Sequence, residues 1–237
     1  MRNYSFMLDG TDSLECGIRM QAPLEIGAAK PIYEKIQIPG RNGTLIFDTG
    51  AFENRKAKAR CFALSLDNVI NKINEINRFL LSAKGYRRLE TPEDSAHFML
   101  AKVSNSAKIS QRMLKLAQFE IEFDCKPQRF FKSGEAEITV RSGDTLSNPY
   151  GFPASPLLQI DGAGSGSITI GEKTIQILNL ESNLTIDCET MNAFQGIHNK
   201  NADIKAYEFP ILEAGENEIS FFGGITSLKI VPRWWEV

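Results

Sequence analysis

Two histidines are the first residues to test for chemistry, because a hydrolytic triad or a zinc site would normally use at least one. His97 and His198 lie in different halves of the chain, and neither has ligand-type residues at metal-site spacing. The chain also has four cysteines, Cys16, Cys61, Cys125 and Cys188. They form no C-x-x-C pair, so buried, reduced thiols are expected. The sequence predicts no catalytic residue, no metal ligand and no cofactor site.

A glycine-rich run, Gly162–Gly166, superficially resembles a phosphate-binding loop. Such a loop should lead into a helix whose first amides face the anion. Here Ser167–Ile170 follows, and its alternation predicts a strand. We therefore reject a nucleotide or phosphate cofactor at this run.

Two features leave a link to sugars open. Asp187 and Glu189 are two residues apart on one face of a predicted strand, and Glu181 is nearby in the sequence. Their carboxyl groups could therefore be separated by the about 5–9 Å that glycosidase carboxylates use. Such pairs are also common on solvated strands. Trp234 and Trp235 could stack on sugar rings, or they could be packing residues that close a β-sandwich. A glycoside hydrolase and a carbohydrate-binding module therefore stay as alternatives.

Composition is that of a globular protein. The 237 residues are 42% hydrophobic and 24% charged, and no apolar run approaches the ~20 residues that cross a bilayer. Met1–Gly10 alternates and lacks the apolar core of a signal peptide, so synthesis in the cytoplasm, without export or a membrane partner, is expected. Residues 1–134 carry 21 basic and 15 acidic side chains, whereas residues 135–237 carry 6 and 14. The asymmetry favours two units with different surfaces.

The first half reads as strands around one helix. The strands are predicted at Tyr4–Leu8, Glu34–Ile38, Thr44–Asp48, Arg55–Ser65, Tyr86–Leu89, His97–Val103 and Met113–Cys125. The turn at 39–43 reverses the chain between the second and third of these strands. From Asp67 the period becomes helical, with an apolar stripe at Val69, Ile70, Ile73, Ile76 and Leu80. Small residues on the buried side of Arg55–Ser65 would let this helix pack closely.

A polar segment, Ser104–Gln111, separates the last two of these strands. It predicts a long hairpin with an exposed tip that is available to a neighbouring subunit. We expect the oligomer interface at this tip, in Ser104, Asn105, Ser106, Ala107, Lys108 and Ile109.

The second half reads as short strands split by Gly, Asn and Pro. Pro127 is expected to stop a strand and Ser133-Gly134 to form a joint, which gives domains 1–134 and 135–237. Gly223-Gly224, between Glu218–Phe222 and Ile225–Val231, predicts a hairpin. Many short strands with almost no helical pattern indicate a sandwich or jelly roll. The fold class is mainly β, with an α+β first domain.

Several segments, in this order, resemble those of the distal tail protein (Dit) family of siphophages and their prophages. They are Ile36–Gly43, Asp67–Leu81, Arg87-Arg88-Leu89, Phe119–Pro127, Asn148–Gly151, Pro153–Pro156, Leu184–Glu189, Phe209–Leu212, Gly215-Glu216-Asn217 and Pro232–Trp235. No single one is diagnostic, since each is a turn or an element end. The likeness covers essentially the whole chain.

The resemblance implies a structural virion protein of the tail tip, not an enzyme. In the family, N-terminal domains of β-sandwich or split-barrel type, with one helix, form a hexameric ring, and a long hairpin of each reaches onto its neighbour. The ring joins the major tail (tube) protein to the tail-tip protein, and DNA passes through its centre. The C-terminal domain is a galectin-like jelly roll that docks a receptor-binding protein or, in some members, binds saccharide.

Overall fold

The structure is a computed structural model that describes residues 4–65, 69–105, 108–112 and 115–237. Contacts divide the chain into two compact units; the first ends at Arg129, and the second comprises Phe130–Glu236. The division falls before the expected boundary at Gly134. Among the described residues, no helix combines the length and the apolar character needed to span a membrane.

The first unit is built of strands and one α-helix. They are β1 (Met7–Leu8), β2 (Thr11–Asp12), β3 (Arg19–Met20), β4 (Glu25–Ile26), β5 (Pro31–Gln37), β6 (Thr44–Phe52), β7 (Arg55–Leu64), α1 (Val69–Leu81), β8 (Arg87–Thr91), β9 (Asp94–Val103), β10 (Lys108–Arg112) and β11 (Leu116–Phe131). The main sheet has the order β2-β1-β8-β9-β11-β7-β3, with β4 added on β7 and β10 on β11. β5 and β6 pair only with each other in a separate sheet.

Strands β7 and β11 form the centre of this sheet, and their inward side chains are complementary in size. Their antiparallel register puts Phe119 beside Cys61, Ile121 beside Ala59 and Phe123 beside Ala57. All of these inward side chains are buried. Large residues on one strand therefore fill the space left by small residues on the other, which keeps packing dense without strain.

Helix α1 packs on β7 as its apolar period predicts. Val69, Ile73, Ile76 and Leu80 are buried, and each contributes about 1.5–3 kcal/mol through burial. Ile70, which belongs to the predicted stripe, is instead 41% exposed. The predicted start, Asp67, lies outside the described residues.

Pro127 does not end a strand, contrary to the prediction. β11 continues through it to Phe131. Proline lacks only the N–H donor, and the carbonyl of Pro127 accepts a hydrogen bond from the buried guanidinium of Arg55. The contact boundary lies next to this strand end rather than at Ser133-Gly134.

The second unit is all β apart from two short 3₁₀ turns at Lys132–Glu135 and Asn201–Asp203. Its strands are β12 (Ile138–Val140), β13 (Thr145–Asn148), β14 (Leu157–Ile170), β15 (Lys173–Leu180), β16 (Asn183–Asp187), β17 (Asn192–Gln195), β18 (His198–Asn199), β19 (Ile204–Ala206), β20 (Gly215–Val231) and β21 (Trp235–Glu236). The order is β12-β20-β14-β16-β17-β18, with β13 also on β20, β15 on β14, and β19 on β15.

The predicted hairpin at Gly223-Gly224 is wrong, because β20 is one continuous strand that pairs with β14 along most of its length. Both strands bend where glycines face each other; the register shifts between Gly162 and Gly166. The first half of β14 pairs with β16 and the second half with β15. The two halves bury side chains in one core, so the sheet folds over into two layers. The mainly β fold class with one helix is confirmed for the described chain.

Candidate assembly interface

The first unit carries a two-stranded ribbon, β5 and β6, whose side chains are almost all exposed. Every residue of β5 is exposed, and so is every residue of β6 except the partly covered Phe52. The strands pair from Pro31 opposite Phe52 to Gln37 opposite Thr44. An isolated two-stranded hairpin is at best marginally stable in water, so this ribbon is built to be completed by a partner surface.

The ribbon has two different faces, because directly paired residues share a face and faces alternate along a strand. One face carries Ile36 opposite Leu45, and Glu34 opposite Phe47. We call it the apolar face. The other face carries Tyr33 opposite Asp48, Lys35 opposite Ile46, and Gln37 opposite Thr44. We call it the mixed face; on it the Lys35 ammonium lies 5.5 Å from the centroid of the Tyr33 ring.

Exposure of the ribbon's large apolar side chains is unusual for a free surface. Phe47 is 60%, Leu45 49% and Ile36 46% exposed on the apolar face, and Ile46 is 59% exposed on the mixed face. Single exposed apolar residues are ordinary, but a contiguous group marks an interaction site. The apolar face is therefore the strongest candidate for a protein interface in the described chain.

The root of the ribbon is fixed to the body of the first unit. The backbone amide of Glu53 donates to the carbonyl of Lys30 at 2.8 Å. The side-chain amide of Asn54 donates to the Tyr86 hydroxyl at 2.8 Å and to the Asp124 carboxylate at 2.9 Å. The ribbon consequently leaves the body in a defined direction.

A bulge lies between this root and the outer part of the ribbon. The register shifts between Ile32 and Tyr33. The Thr49 hydroxyl donates to the carbonyl of Ile32 at 2.7 Å, and the Asp48 carboxylate accepts from the amide of Gly50 at 2.9 Å. Gly50 has φ +70°, a conformation that glycine adopts without steric cost. These contacts hold the local twist that a bulge introduces.

Comparisons with known proteins bear on the fold. No protein-family model matches the chain, and no curated protein matches it. Among solved structures, the crystal structure of the SPP1 Dit (gp 19.1) protein superimposes with a TM-score of 0.68, over 97% of this chain and 98% of that one. The chain has the Dit fold. At 11% identity this likeness concerns the fold; the SPP1 protein is described as a paradigm of the hub adsorption apparatus in phages that infect Gram-positive bacteria.

The predicted interface segment has a different place in the Dit fold from the one expected. Ser104 and Asn105 are bound to the chain's own β11: the Ser104 hydroxyl donates to the Glu122 carbonyl at 3.0 Å, and the Asn105 side chain accepts from the Glu122 amide at 2.8 Å. Lys108 and Ile109 begin β10, which pairs with β11. Ser106 and Ala107 lie outside the described residues.

The described part of the polar segment therefore lies along β11 and not at a hairpin tip, and its role as an oligomer interface stays a prediction. The described residues on both sides of 106–107 belong to strands that pair with β11, β9 before the gap and β10 after it. Sequence reasoning found the turn at 39–43 but not the exposure of its two strands. Thr44–Asp48 has apolar residues on both faces, Leu45 and Phe47 on one and Ile46 on the other, but this pattern is also typical of a fully buried strand.

Arg55, Lys56, Lys58 and Arg60 form a basic run on β7, and two of them pair with acidic side chains of neighbouring strands. Lys58 lies 2.8 Å from Glu122 and 3.7 Å from Glu120, and Arg60 lies 3.3 Å from Glu25. The hydrogen bond to Glu122 raises the pKa of Lys58. These cross-strand pairs favour a solvated strand face over a basic docking surface.

The carboxylates considered for glycoside hydrolysis form ion pairs with basic side chains. Arg233 lies 2.7 and 3.2 Å from the two oxygens of Asp187 and 3.7 Å from Glu189. Lys200 lies 3.4 Å from Glu181. Burial alone would raise the pKa of Asp187, but the hydrogen bonds and charge of Arg233 leave it below its ordinary value. A general acid needs the opposite shift, so the site is arranged as a structural ion pair.

The two histidines belong to different units, and each has its own surroundings. Nδ1 of His97 lies 2.7 Å from Asp94, whose carboxylate is also bound by Arg129 at 2.7 Å. His198 is exposed in β18. No group of three or more metal-binding side chains occurs among the described residues.

The terminal tryptophans act as packing residues of the second unit. Trp234 is 5% exposed and its ring centroid lies 6.4 Å from that of Tyr150. Trp235 stacks on Phe152 with centroids 4.6 Å apart and donates its Nε1 proton to the Pro153 carbonyl at 2.9 Å. Burial leaves Trp234 without a free face for a sugar, so the stacking hypothesis does not hold for it. One face of Trp235 is occupied by Phe152.

Proposed function

We propose that this chain is a non-catalytic structural protein of a phage tail tip, which assembles with identical copies into a closed ring. The proposal rests on one observation above all: a projecting ribbon with an exposed apolar face, on a chain that has the Dit fold. The ring would join the tail tube to the tail-tip protein and leave a central path for DNA. The resemblance of the sequence to distal tail proteins supports a hexamer.

The resemblance to distal tail proteins, in which a hairpin reaches onto the neighbouring subunit, favours a ring over a reciprocal exchange of ribbons between two copies. The apolar face is carried on an arm, so the surface that receives it lies elsewhere on the next copy. Such a head-to-tail contact closes into a ring when the rotation between copies permits, and otherwise grows without end. A ring also covers the ribbon's unpaired edges, which would otherwise invite aggregation.

The energy available on the apolar face suits this role. Complete burial of a large apolar side chain contributes about 1.5–3 kcal/mol. Ile36, Leu45 and Phe47 are already half covered, so their further burial contributes about 2–5 kcal/mol per interface. Association itself costs about 4 kcal/mol or more, so the apolar face supplies part of the interface energy and further contacts between the copies must supply the rest.

The test is a single change on the apolar face with a matched control. Phe47→Ser removes the most exposed aromatic residue of the ribbon, and Phe222→Ser removes a similarly exposed one, 66%, from the second unit. Purified proteins are measured by native mass spectrometry and negative-stain imaging, alone and with the tail-tube protein. We expect rings for the wild type and the control, and monomers with unchanged melting for Phe47→Ser. Rings of Phe47→Ser as stable as those of the wild type would contradict the proposal.

The second unit would dock a receptor-binding protein. Its acidic character, with 14 acidic against 6 basic residues from 135 to 237, supports a partner of opposite charge. Binding that weakens as salt is raised is the expected signature. Binding that is indifferent to salt would argue against this part of the proposal.

A further inference from the structure

The end of the ribbon carries an asparagine that is followed directly by a glycine. Among the 237 residues, Asn42 alone has a glycine as its next residue. The pair lies in residues 38–43, which connect β5 to β6 beyond the last strand pair, Gln37 opposite Thr44. We call residues 38–43 the ribbon turn. Every residue of this turn is exposed, so solvent reaches both members of the pair.

The two groups of this pair that could react with each other are not held by other contacts. Among the described residues, the Asn42 side chain has no hydrogen-bond partner, and the Gly43 amide takes part in no backbone hydrogen bond. Gly43 has φ +85°, and apart from its chain neighbours no atom lies within 4 Å of the position that a Cβ atom would take. Without a side chain, its backbone nitrogen is open to approach by the Asn42 carbonyl carbon.

The Asp-Gly pairs, which can undergo a related cyclisation, are in a different situation. The Asp9 carboxylate accepts from Nε of Arg87 at 2.7 Å and from the amide of Arg88 at 2.9 Å. Gly162, which follows Asp161 within β14, donates its amide to the Ser182 carbonyl at 3.0 Å. In each of these pairs one reacting group is bound, whereas neither group is bound at the ribbon turn.

We propose that Asn42 is a site of spontaneous deamidation, at which the chain modifies itself. The Gly43 nitrogen gives up its proton to solvent and forms a bond to Cγ of Asn42. The Cγ–Nδ2 bond breaks, and the leaving nitrogen takes a proton from solvent and departs as ammonia. Water then opens the resulting succinimide at either of its two carbonyl groups, which leaves aspartate or isoaspartate. One water is consumed and one ammonia is released, so the step needs no oxidant and no cofactor.

The product changes the ribbon turn in charge and in shape. A carboxylate replaces a neutral amide next to the guanidinium of Arg41, and isoaspartate also adds one methylene group to the main chain. The ladder of the ribbon ends before the turn, so its strand pairs can stay as they are. A surface that receives the ribbon would meet a different charge and a longer loop. This consequence for assembly rests on the proposed function, but the modification itself does not.

The experiment follows the purified full-length protein at 37 °C, at pH 7 and pH 8, in water enriched in heavy oxygen. Peptide mapping by mass spectrometry, with fragmentation that distinguishes isoaspartate from aspartate, locates the product. We expect modification at Asn42, with isoaspartate as the main product and one heavy oxygen atom gained in each event. The rate should rise about tenfold from pH 7 to pH 8, because the deprotonated fraction of the Gly43 amide rises by that factor.

Three variants test the mechanism. Asn42→Gln should stay unmodified, because its longer side chain would have to close a larger ring. Gly43→Ala should react about tenfold more slowly, because a Cβ atom beside the nitrogen hinders its approach. Gly40→Ala is the matched control: Gly40 also has positive φ in the ribbon turn, and its Cβ position is equally open. It keeps the Asn-Gly pair and should react like the wild type.

The Phe47→Ser variant separates this test from that of the ring. If a ring covers the turn, Phe47→Ser should react faster than the wild type; if no ring forms, the two should react alike. The proposal is overturned if Asn42 stays intact in both proteins, if Gly43→Ala reacts as fast as Gly40→Ala, or if the rate is the same at pH 7 and pH 8.

Discussion

The carbonyl oxygen of Ala163 occupies the position that a Cβ atom on Gly224 would take. A Cβ atom on Gly162 would in turn meet the carbonyl of Gly224. At this point β14 and β20 bend together with their backbones in close approach, and only glycine permits it. The glycine run that resembled a phosphate loop and the pair that resembled a hairpin turn are the two halves of one bend.

Gly224→Ala should therefore destabilise the second unit. The methyl group meets backbone rather than a flexible side chain, so the strands must separate, at a cost of about 3 kcal/mol or more. For a unit of this size the melting temperature should fall by roughly 10 °C or more. Gly151→Ala is the matched control, because nothing lies within 4 Å of its Cβ position. Equal melting of the two variants in calorimetry would contradict this account of the bend.

Asn54→Ala should loosen the ribbon without unfolding the body. The change removes the hydrogen bonds to Tyr86 and Asp124, each of which contributes about 1 kcal/mol. Amide exchange across Pro31–Phe52 should become faster while that of β7 and β11 stays slow, and ring assembly should weaken. Tyr86→Phe removes only one of the two bonds and should give a smaller effect. Unchanged exchange in the ribbon would show that its root is fixed by other contacts.

The bulge should matter to assembly more than to folding. Thr49→Val keeps the side-chain shape but removes the hydroxyl that bonds to the Ile32 carbonyl. We expect an unchanged melting temperature. The protein concentration at which half of the copies are assembled, measured by mass photometry, should rise because the outer ribbon is less well fixed in direction. Thr44→Val, at the far end of β6, is the control and should assemble like the wild type.

The Asp187–Arg233 pair should give a stability difference that depends on pH. Because the pKa of Asp187 is lowered in the folded protein, its contribution is complete above its unfolded value of 3.8 and is lost as pH falls through the folded value. Asp187→Asn should cost about 1 kcal/mol or less at pH 7, since the pair is partly solvated. Urea unfolding at pH 7 and below pH 3 measures this difference. If the wild type and Asp187→Asn still differ in free energy of unfolding below pH 3, the ion-pair explanation is wrong.

Thiol labelling should distinguish one cysteine from the other three. Burial raises the pKa of Cys61, Cys125 and Cys188 to about 12, so these thiols stay protonated and shielded at pH 8. Cys16 is only partly buried. Iodoacetamide labelling of the native protein, followed by mass spectrometry, should modify Cys16 first. Equally rapid labelling of Cys125 would mean that β11 opens more readily than its packing implies.

The features that the sequence predicted correctly follow from local periodicity of the residues. The helix on β7, its four buried residues and the reversal between β5 and β6 follow from patterns within about fifteen residues. The small residues that receive the helix were also visible, because alternation on β7 puts Ala57, Ala59 and Ala63 on one face. Each of these features needs only neighbouring residues for its explanation.

The features that the sequence did not predict depend on residues far away in the chain. Gly223-Gly224 bends instead of turning because β14, some sixty positions earlier, brings matching glycines beside it. β11 continues through Pro127, and the carbonyl of Pro127 accepts a hydrogen bond from Arg55 of another strand. The ribbon's exposure could not be seen either, since the same apolar residues would suit a buried hairpin.

The continuity of β14 and β20 through both layers also governs how the second unit responds to force. The layers cannot slip or part independently, because each shared strand would have to break its ladders on both sides of the bend. Tension along these strands loads many backbone hydrogen bonds in shear at the same moment. Under mechanical pulling, the second unit should therefore yield in one cooperative rupture and should not peel open strand by strand.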